Sequence, residues 1–179
     1  MNVLGFAAQS AASPLEKFAF TRRAPQADDV VIDILYCGVC HTDLHLARNH
    51  GGFSTYPIVP GHEIIGRVRQ VGHQVTRFRV GDRVGVGCMV DSCQHCAPCQ
   101  QGWEQDCIDG ATFTYNSTDR HDGSVTYGGY SDSIVVRDSS FCPCLIASIQ
   151  PAPRRSCAQA SPPGRLCAVG TWAKPARLR

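Results

Sequence analysis

Cys93, Cys96, Cys99 and Cys107 stand in a C-x2-C-x2-C-x7-C spacing inside fifteen residues, close enough for one loop to turn four sulfurs onto a single ion. Four thiolates converge tetrahedrally on Zn2+ at about 2.3 Å each, the arrangement of a closed structural site. The same cysteines could pair as disulfides, but adjacent C-x-x-C pairs close strained small loops. The N-terminal residues, Met-Asn-Val-Leu-Gly-Phe-Ala-Ala-Gln-Ser, also lack the basic and apolar regions of an export signal. The spacing therefore points to a metal in a reduced, cytoplasmic chain, with zinc preferred to iron or cobalt on ligand softness and availability.

A second constellation lies upstream, where Cys40-His41-Thr42-Asp43 and Gly61-His62-Glu63 offer a thiolate, an imidazole and a carboxylate from separate segments. A catalytic zinc takes three protein ligands and keeps one position open for water or substrate. Cys40 and His62 supply two ligands, with Glu63 adjacent. An isolated Cys and His would more simply be a buried thiol and a histidine ending a strand; the four-cysteine loop tips the reading towards a second metal site. Thr42 is equally suited to capping a short helix, and His45 to a solvated helix face. Cys37 ends an apolar run and reads as an inert core thiol. Cys88 falls outside the metal spacing. His50, His73, His95 and His121 sit among polar or glycine-rich neighbours and read as solvated. Asp43 could cap or pair locally.

These residues need a scaffold of short strands. Asp29 to Tyr36, Glu63 to Val71, Val80 to Val86 and Tyr127 to Val136 are β-branched, apolar runs broken by turn residues. Cys40 to Arg48 has the spacing of a short helix, and another could begin near Cys96-Ala-Pro-Cys99. The expectation is a mainly β fold with short helices, a barrel or sandwich. No run approaches the ~18 apolar residues of a membrane span.

The formal net charge of +2 joins two unlike pieces. Residues 1–138 carry 11 Lys+Arg against 15 Asp+Glu, whereas 139–179 hold six basic residues, no acidic one, six prolines and four cysteines. The expected organisation is thus a zinc-binding domain over 1–138 and an aberrant, disordered or poorly packed tail over 139–179. That tail has neither the aromatic interleaving nor the helical stripe of a nucleic-acid binder.

Cys37-Gly-Val-Cys-His-Thr-Asp-Leu-His45, Tyr56-Pro-Ile-Val-Pro-Gly-His-Glu-Ile-Ile-Gly66, Gly81-Asp-Arg-Val-Gly85 and the cysteine loop together resemble the zinc-dependent medium-chain alcohol dehydrogenases. Gly87-Cys-Met-Val-Asp-Ser-Cys93 and Thr126-Tyr-Gly-Gly-Tyr-Ser131 most resemble the cinnamyl-alcohol-dehydrogenase-like branch. The resemblance spans about residues 15 to 138. It implies a GroES-like β-barrel catalytic domain, with Cys40 and His62 as catalytic-zinc ligands and Glu63 at or beside that zinc. It makes Cys93, Cys96, Cys99 and Cys107 the structural-zinc ligands. Thr42 would hydrogen-bond the reacting oxygen, His45 would relay its proton to solvent, and Asp43 would support the zinc ligands. The implied reaction transfers hydride between NADP(H) or NAD(H) and a small-molecule alcohol or aldehyde.

Two expected parts are missing from the sequence. No G-x-G-x-x-G follows a strand, so the nucleotide-binding Rossmann domain is expected to be absent. The family's third zinc thiolate, set in an L-C-A-G-I-T-T-like segment, is also missing; Cys157 falls nearby in the wrong context. Shifted by one base from Ser140 onward, the allowed codons can spell that segment, so the tail reads as a frameshifted continuation of the family sequence. The expectation is a truncated catalytic domain with an incomplete catalytic zinc site, inactive by itself. The alternative is a zinc-binding interaction module that has lost the chemistry. Substrate and oligomeric state are left open.

Overall fold

The computed structural model describes residues 1–140. Its centre is β3 (Asp29–Cys37), whose valines and isoleucines are buried on both faces, as in a strand with neighbours on each side. With β1 (Asn2–Ala8), β2 (Leu15–Thr21), β4 (Ile64–Val71), β5 (Arg83–Val86), β6 (Met89–Asp91), β7 (Thr112–Phe113) and β8 (Ser133–Arg137), it makes a strand-rich domain. Among the described residues only two short α-helices interrupt it, α1 (His41–Ala47) and α2 (Ala97–Gln100). The mainly β expectation therefore holds. No helix among the described residues is long and apolar enough to cross a membrane.

Strands β5, β4, β3 and β8 form one antiparallel sheet in that order, with β1–β2 and β6–β7 as separate ribbons. Isolated bridges from Gly5 to Ser131 and from Ala8 to Ile58 tie the first ribbon to the rest. Ile32, Ile64, Val68, Val84, Ile134 and Val136 fill the main core, each contributing about 1.5–3 kcal/mol by leaving water. At the connection between β2 and β3, the Arg23 guanidinium forks onto the buried Asp29 carboxylate and reaches Asp119 Oδ2 at 2.9 Å. This ties the strand entry to the loop before β8.

The pairing of β3 with β4 does most to assemble the chemistry. Its register ends at Cys37 opposite Ile64, after shifts at Val31/Ile32 and Ile34/Tyr36 that bend the pair. The chain beyond Cys37 therefore meets the chain before Ile64, and Gly38 N–H donates to Glu63 O at 2.8 Å. Cys40 then lies beside His62 and Glu63 although 22 positions separate Cys40 from His62.

Several expected boundaries move. The Tyr127–Val136 strand forms only as Ser133–Arg137, because residues 128–130 spend their N–H groups on the 59–61 segment. The Val80–Val86 strand begins at Arg83, after a turn in which Gly81 adopts φ +97°. The β1–β2 ribbon was hidden because exposed Leu4 and Phe6 spoil the alternation of buried Val3, Gly5 and Ala7. Beyond Ser140, the tail, Cys157 and the segment expected to be frameshifted lie outside the described residues.

Candidate metal centres

The four-cysteine loop leaves β6 and wraps α2. Cys96 precedes the helix, whose early Pro98 is tolerated in the first turn; Cys99 lies within it and Cys107 follows a 3-10 turn at Glu104–Asp106. The four sulfurs lie within 4.8 Å of one another. Cys93 and Cys99 are 3.8 Å apart, close to the ~3.8 Å edge of a tetrahedron with 2.3 Å zinc–sulfur bonds. Gln94, at φ +64°, turns the chain between ligands. Cys96 N–H donates to Cys93 Sγ at 3.3 Å and Cys93 N–H to Cys107 Sγ at 3.4 Å, dipoles that favour thiolates. Backbone donors from Cys99 and Ile108 pull the Cys96 thiol down to about 6, whereas desolvation pushes Cys93 up to about 12. The donor set fits a tetrahedral soft-metal site.

At the second centre, donor atoms of Cys40, His62 and Glu63 also lie within 4.8 Å of one another. Cys40 immediately precedes α1, and Asp43 in its first turn accepts the Cys40 N–H through Oδ2 at 2.9 Å. Burial would raise the Cys40 thiol, but Thr42 and His62 outweigh it and lower the thiol below its usual range. Thr42 Oγ1 is 3.6 Å from Cys40 Sγ.

Asp43, 3% exposed, is the hub of this centre. Besides Cys40 N–H it accepts Gly61 N–H at 2.9 Å and the Tyr130 hydroxyl at 3.2 Å, and its Oδ1 lies 3.3 Å from His62 Nδ1. Burial works to raise its carboxyl, yet the His62 and backbone hydrogen bonds bring it below the ordinary value. The Asp43 contact in turn raises His62 against the effect of burial. With Nδ1 facing the Asp43 carboxylate, Nε2 is the His62 nitrogen left available to a metal. The Tyr115 ring stacks on the imidazole at 5.8 Å and 19°. A thiolate, an imidazole and a carboxylate are donor types that suit a catalytic zinc.

His45, one turn along α1 from Thr42, is exposed, and its Nδ1 lies 2.8 Å from His50 Nδ1. Its ring is also 4.5 Å from that of His41. His50 and His95 are exposed but partnered, His95 Nε2 lying 3.2 Å from Asp109. His121 departs further from a solvated side chain, because Asp91 holds its Nε2 at 2.9 Å. Cys37 is half-buried with its thiol pushed up to about 12, chiefly by desolvation. Cys88 lies at the surface. Spacing did not reveal Tyr115 and Tyr130, whose partners come from distant segments; the glycines beside Tyr130 were the available signal for a close approach.

The description "Alcohol dehydrogenase GroES-like domain" matches residues 26–145. "Probable cinnamyl alcohol dehydrogenase 3" of Oryza sativa is 55% identical over 137 residues, 76% of this chain and 37% of that protein. A cinnamyl alcohol dehydrogenase from Sorghum bicolor superposes with a TM-score of 0.76 at 45% identity, covering 79% of this chain and 40% of the other. A CAD from Helicobacter pylori complexed with NADP(H) gives 0.74 at 42% identity, with 79% and 41% covered. The chain thus spans about two fifths of each of these proteins. A GroES-like domain match over most of the chain, joined to close likeness in sequence and fold, places the chain in the alcohol dehydrogenase family.

Proposed function

We propose that this chain provides the catalytic domain of a zinc-dependent NAD(P)(H) alcohol dehydrogenase or aldehyde reductase, with a structural zinc at Cys93, Cys96, Cys99 and Cys107. Cys40 and His62, with Glu63 at or beside them, would hold the catalytic zinc, weakly in the absence of the third thiolate. The observation that carries this reading is their convergence around Asp43, which bonds both the Cys40 backbone and the His62 ring. When bound, zinc would supply Lewis acidity at an alcohol or aldehyde oxygen, and the nicotinamide cofactor would exchange hydride with the carbon.

The chain's own residues do the rest. Asp43 fixes the tautomer and orientation of His62. Thr42, beside Cys40, hydrogen-bonds the reacting oxygen and passes its proton along the α1 face to His45, which is neighbour to Thr42 at i+3. His45 and His50 share a hydrogen bond at the surface and hand that proton to water. All strand pairings among the described residues are antiparallel, so a parallel-sheet nucleotide crevice is not among them. The 179-residue chain is accordingly expected to bind zinc but to turn over little by itself.

Metal analysis with NADPH titration tests the reading. Two zinc equivalents are expected, one lost in Cys40→Ser and the other in Cys96→Ser. A single equivalent insensitive to Cys40→Ser would overturn the catalytic-site assignment and favour a zinc-binding module. Micromolar NADPH binding by this chain would overturn the expectation of little turnover.

A further inference from the structure

Arg22 lies at the end of β2, away from both cysteine sets in sequence, yet its guanidinium makes four hydrogen bonds into residues 127–133. Nε donates to Ser133 O at 2.8 Å, Nη1 to Tyr127 O at 2.7 Å, and Nη2 to Gly128 O and Ser131 Oγ, both at 3.0 Å. The Phe20 ring, itself edge-on to the Tyr127 ring at 4.7 Å, lies 5.0 Å from the guanidinium carbon, so the charge also meets an aromatic face. A planar fork that meets several carbonyls at once fixes a backbone far more tightly than a flexible ammonium could.

The opposite side of the same loop is fixed to the metal-ligand segment. Gly128, Gly129 and Tyr130 donate their N–H groups to Val59, Gly61 and Pro60 at 2.7, 2.8 and 3.0 Å. The approach is so close that a Cβ on Gly128 would sit 2.4 Å from Pro60 O, and one on Gly129 would sit 2.8 Å from Cys37 Sγ. His62 follows these acceptors directly in the chain. Tyr130 supplies a second link through its hydroxyl, 3.2 Å from Asp43 Oδ2. Asp43 also holds Gly61 N–H, the Cys40 backbone and the His62 ring.

We propose that Arg22 is a positioning residue for the Cys40/His62/Glu63 centre, acting through the 127–133 loop and the Tyr130 hydroxyl on Asp43. The inference rests on the reading of that centre as a metal site. Arg22 holds the carbonyl side of the loop while 59–61 holds its amide side. Movement of the loop therefore shifts both the backbone preceding His62 and the carboxylate that orients its ring. None of Arg22's hydrogen-bond partners lies within 93–107, so the four-cysteine loop serves as an internal control.

The test is a Co2+ titration of the 179-residue chain and its Arg22→Lys and Tyr130→Phe variants, following thiolate charge-transfer and d–d bands at the two sites, with thermal melts in parallel. The wild-type chain is expected to take two equivalents. Tyr130→Phe should weaken the Cys40-containing site about tenfold, at the lower end of what loss of an outer hydrogen-bond partner costs a metal site. Arg22→Lys should weaken that site at least as much and alter its d–d bands, leaving the four-cysteine site unchanged. The double variant should lose less than the product of the single effects, because part of the action of Arg22 runs through Tyr130. Parallel weakening of both sites, or no change in either variant, would overturn the inference while leaving the metal centre intact. A single equivalent in the wild-type chain would instead remove the centre itself and the inference with it. If Arg22→Lys does not fold, an unchanged Cys40-containing site in Tyr130→Phe still overturns the inference.

Discussion

Asp43 shows how one carboxylate can arrange two prospective ligands it does not itself replace. It receives a backbone N–H from the Cys40 side and from Gly61, and faces the ring of His62. Asp43→Asn keeps the shape but removes the charge and replaces one oxygen with a donor that would face existing donors. We expect about 10- to 100-fold weaker metal binding at Cys40/His62/Glu63, with the four-cysteine site unaffected, measured by competition with a chromophoric chelator. The candidate ligands were legible in the sequence because thiols, imidazoles and carboxylates are few and their spacing is constrained. Asp43 was visible only as a residue able to cap or support, since its four partners come from three segments. Tyr115 and Tyr130 carried no such signal: an aromatic side chain in a turn looks the same whether it meets water or, as here, a buried imidazole or carboxylate.

Strands and loops set how far those partners can move. The β3–β4 register brings Cys40 to His62, and the 127–133 loop braces the 59–61 segment against displacement. Gly128 is where this bracing leaves no spare volume: a methyl group would meet the Pro60 carbonyl oxygen at 2.4 Å. Gly128→Ala is therefore expected to cost about 2–4 kcal/mol of stability, a clash with backbone that no side-chain rotation relieves. Urea denaturation followed by far-UV circular dichroism checks it; a loss under 0.5 kcal/mol would mean that the loop relaxes freely. The buried strand β3 was legible from its β-branched run, and the half-buried β4 from Ile64, Ile65, Val68 and Val71. The loop was read as strand because Ile134, Val135 and Val136 lent their character to the residues before them, and only the pairing of Gly128 to Tyr130 with another loop shows why the strand starts late.

Across the whole domain, the buried Arg23–Asp29 pair ties the entry of the central strand to the Asp119 loop. Burial would raise the Asp29 carboxyl, but Arg23 and the Gln26 backbone hold it below its ordinary 3.8. Such a group stabilises the fold fully above its unfolded value, and that contribution disappears as pH falls through the lower folded value. Melting temperature should therefore drop steeply below about pH 4, and less steeply in Asp29→Asn, whose baseline stability is already reduced. The overall strand-rich class was legible from composition and turn spacing, whereas the β1–β2 ribbon was not, because exposed Leu4 and Phe6 resemble core residues until the packing is known. The two candidate metal centres also differ in what must exist before each can form. The four cysteines share one loop, the last 14 positions after the first, whereas Cys40 and His62 meet only after β3 has found β4. Limiting zinc added during refolding should therefore be captured first by the cysteine loop, while the other centre waits for the sheet. Stopped-flow thiolate absorbance in Cys40→Ser and Cys96→Ser chains would register that order as a fast and a slow arrival, making metal uptake a clock for the folding of the barrel.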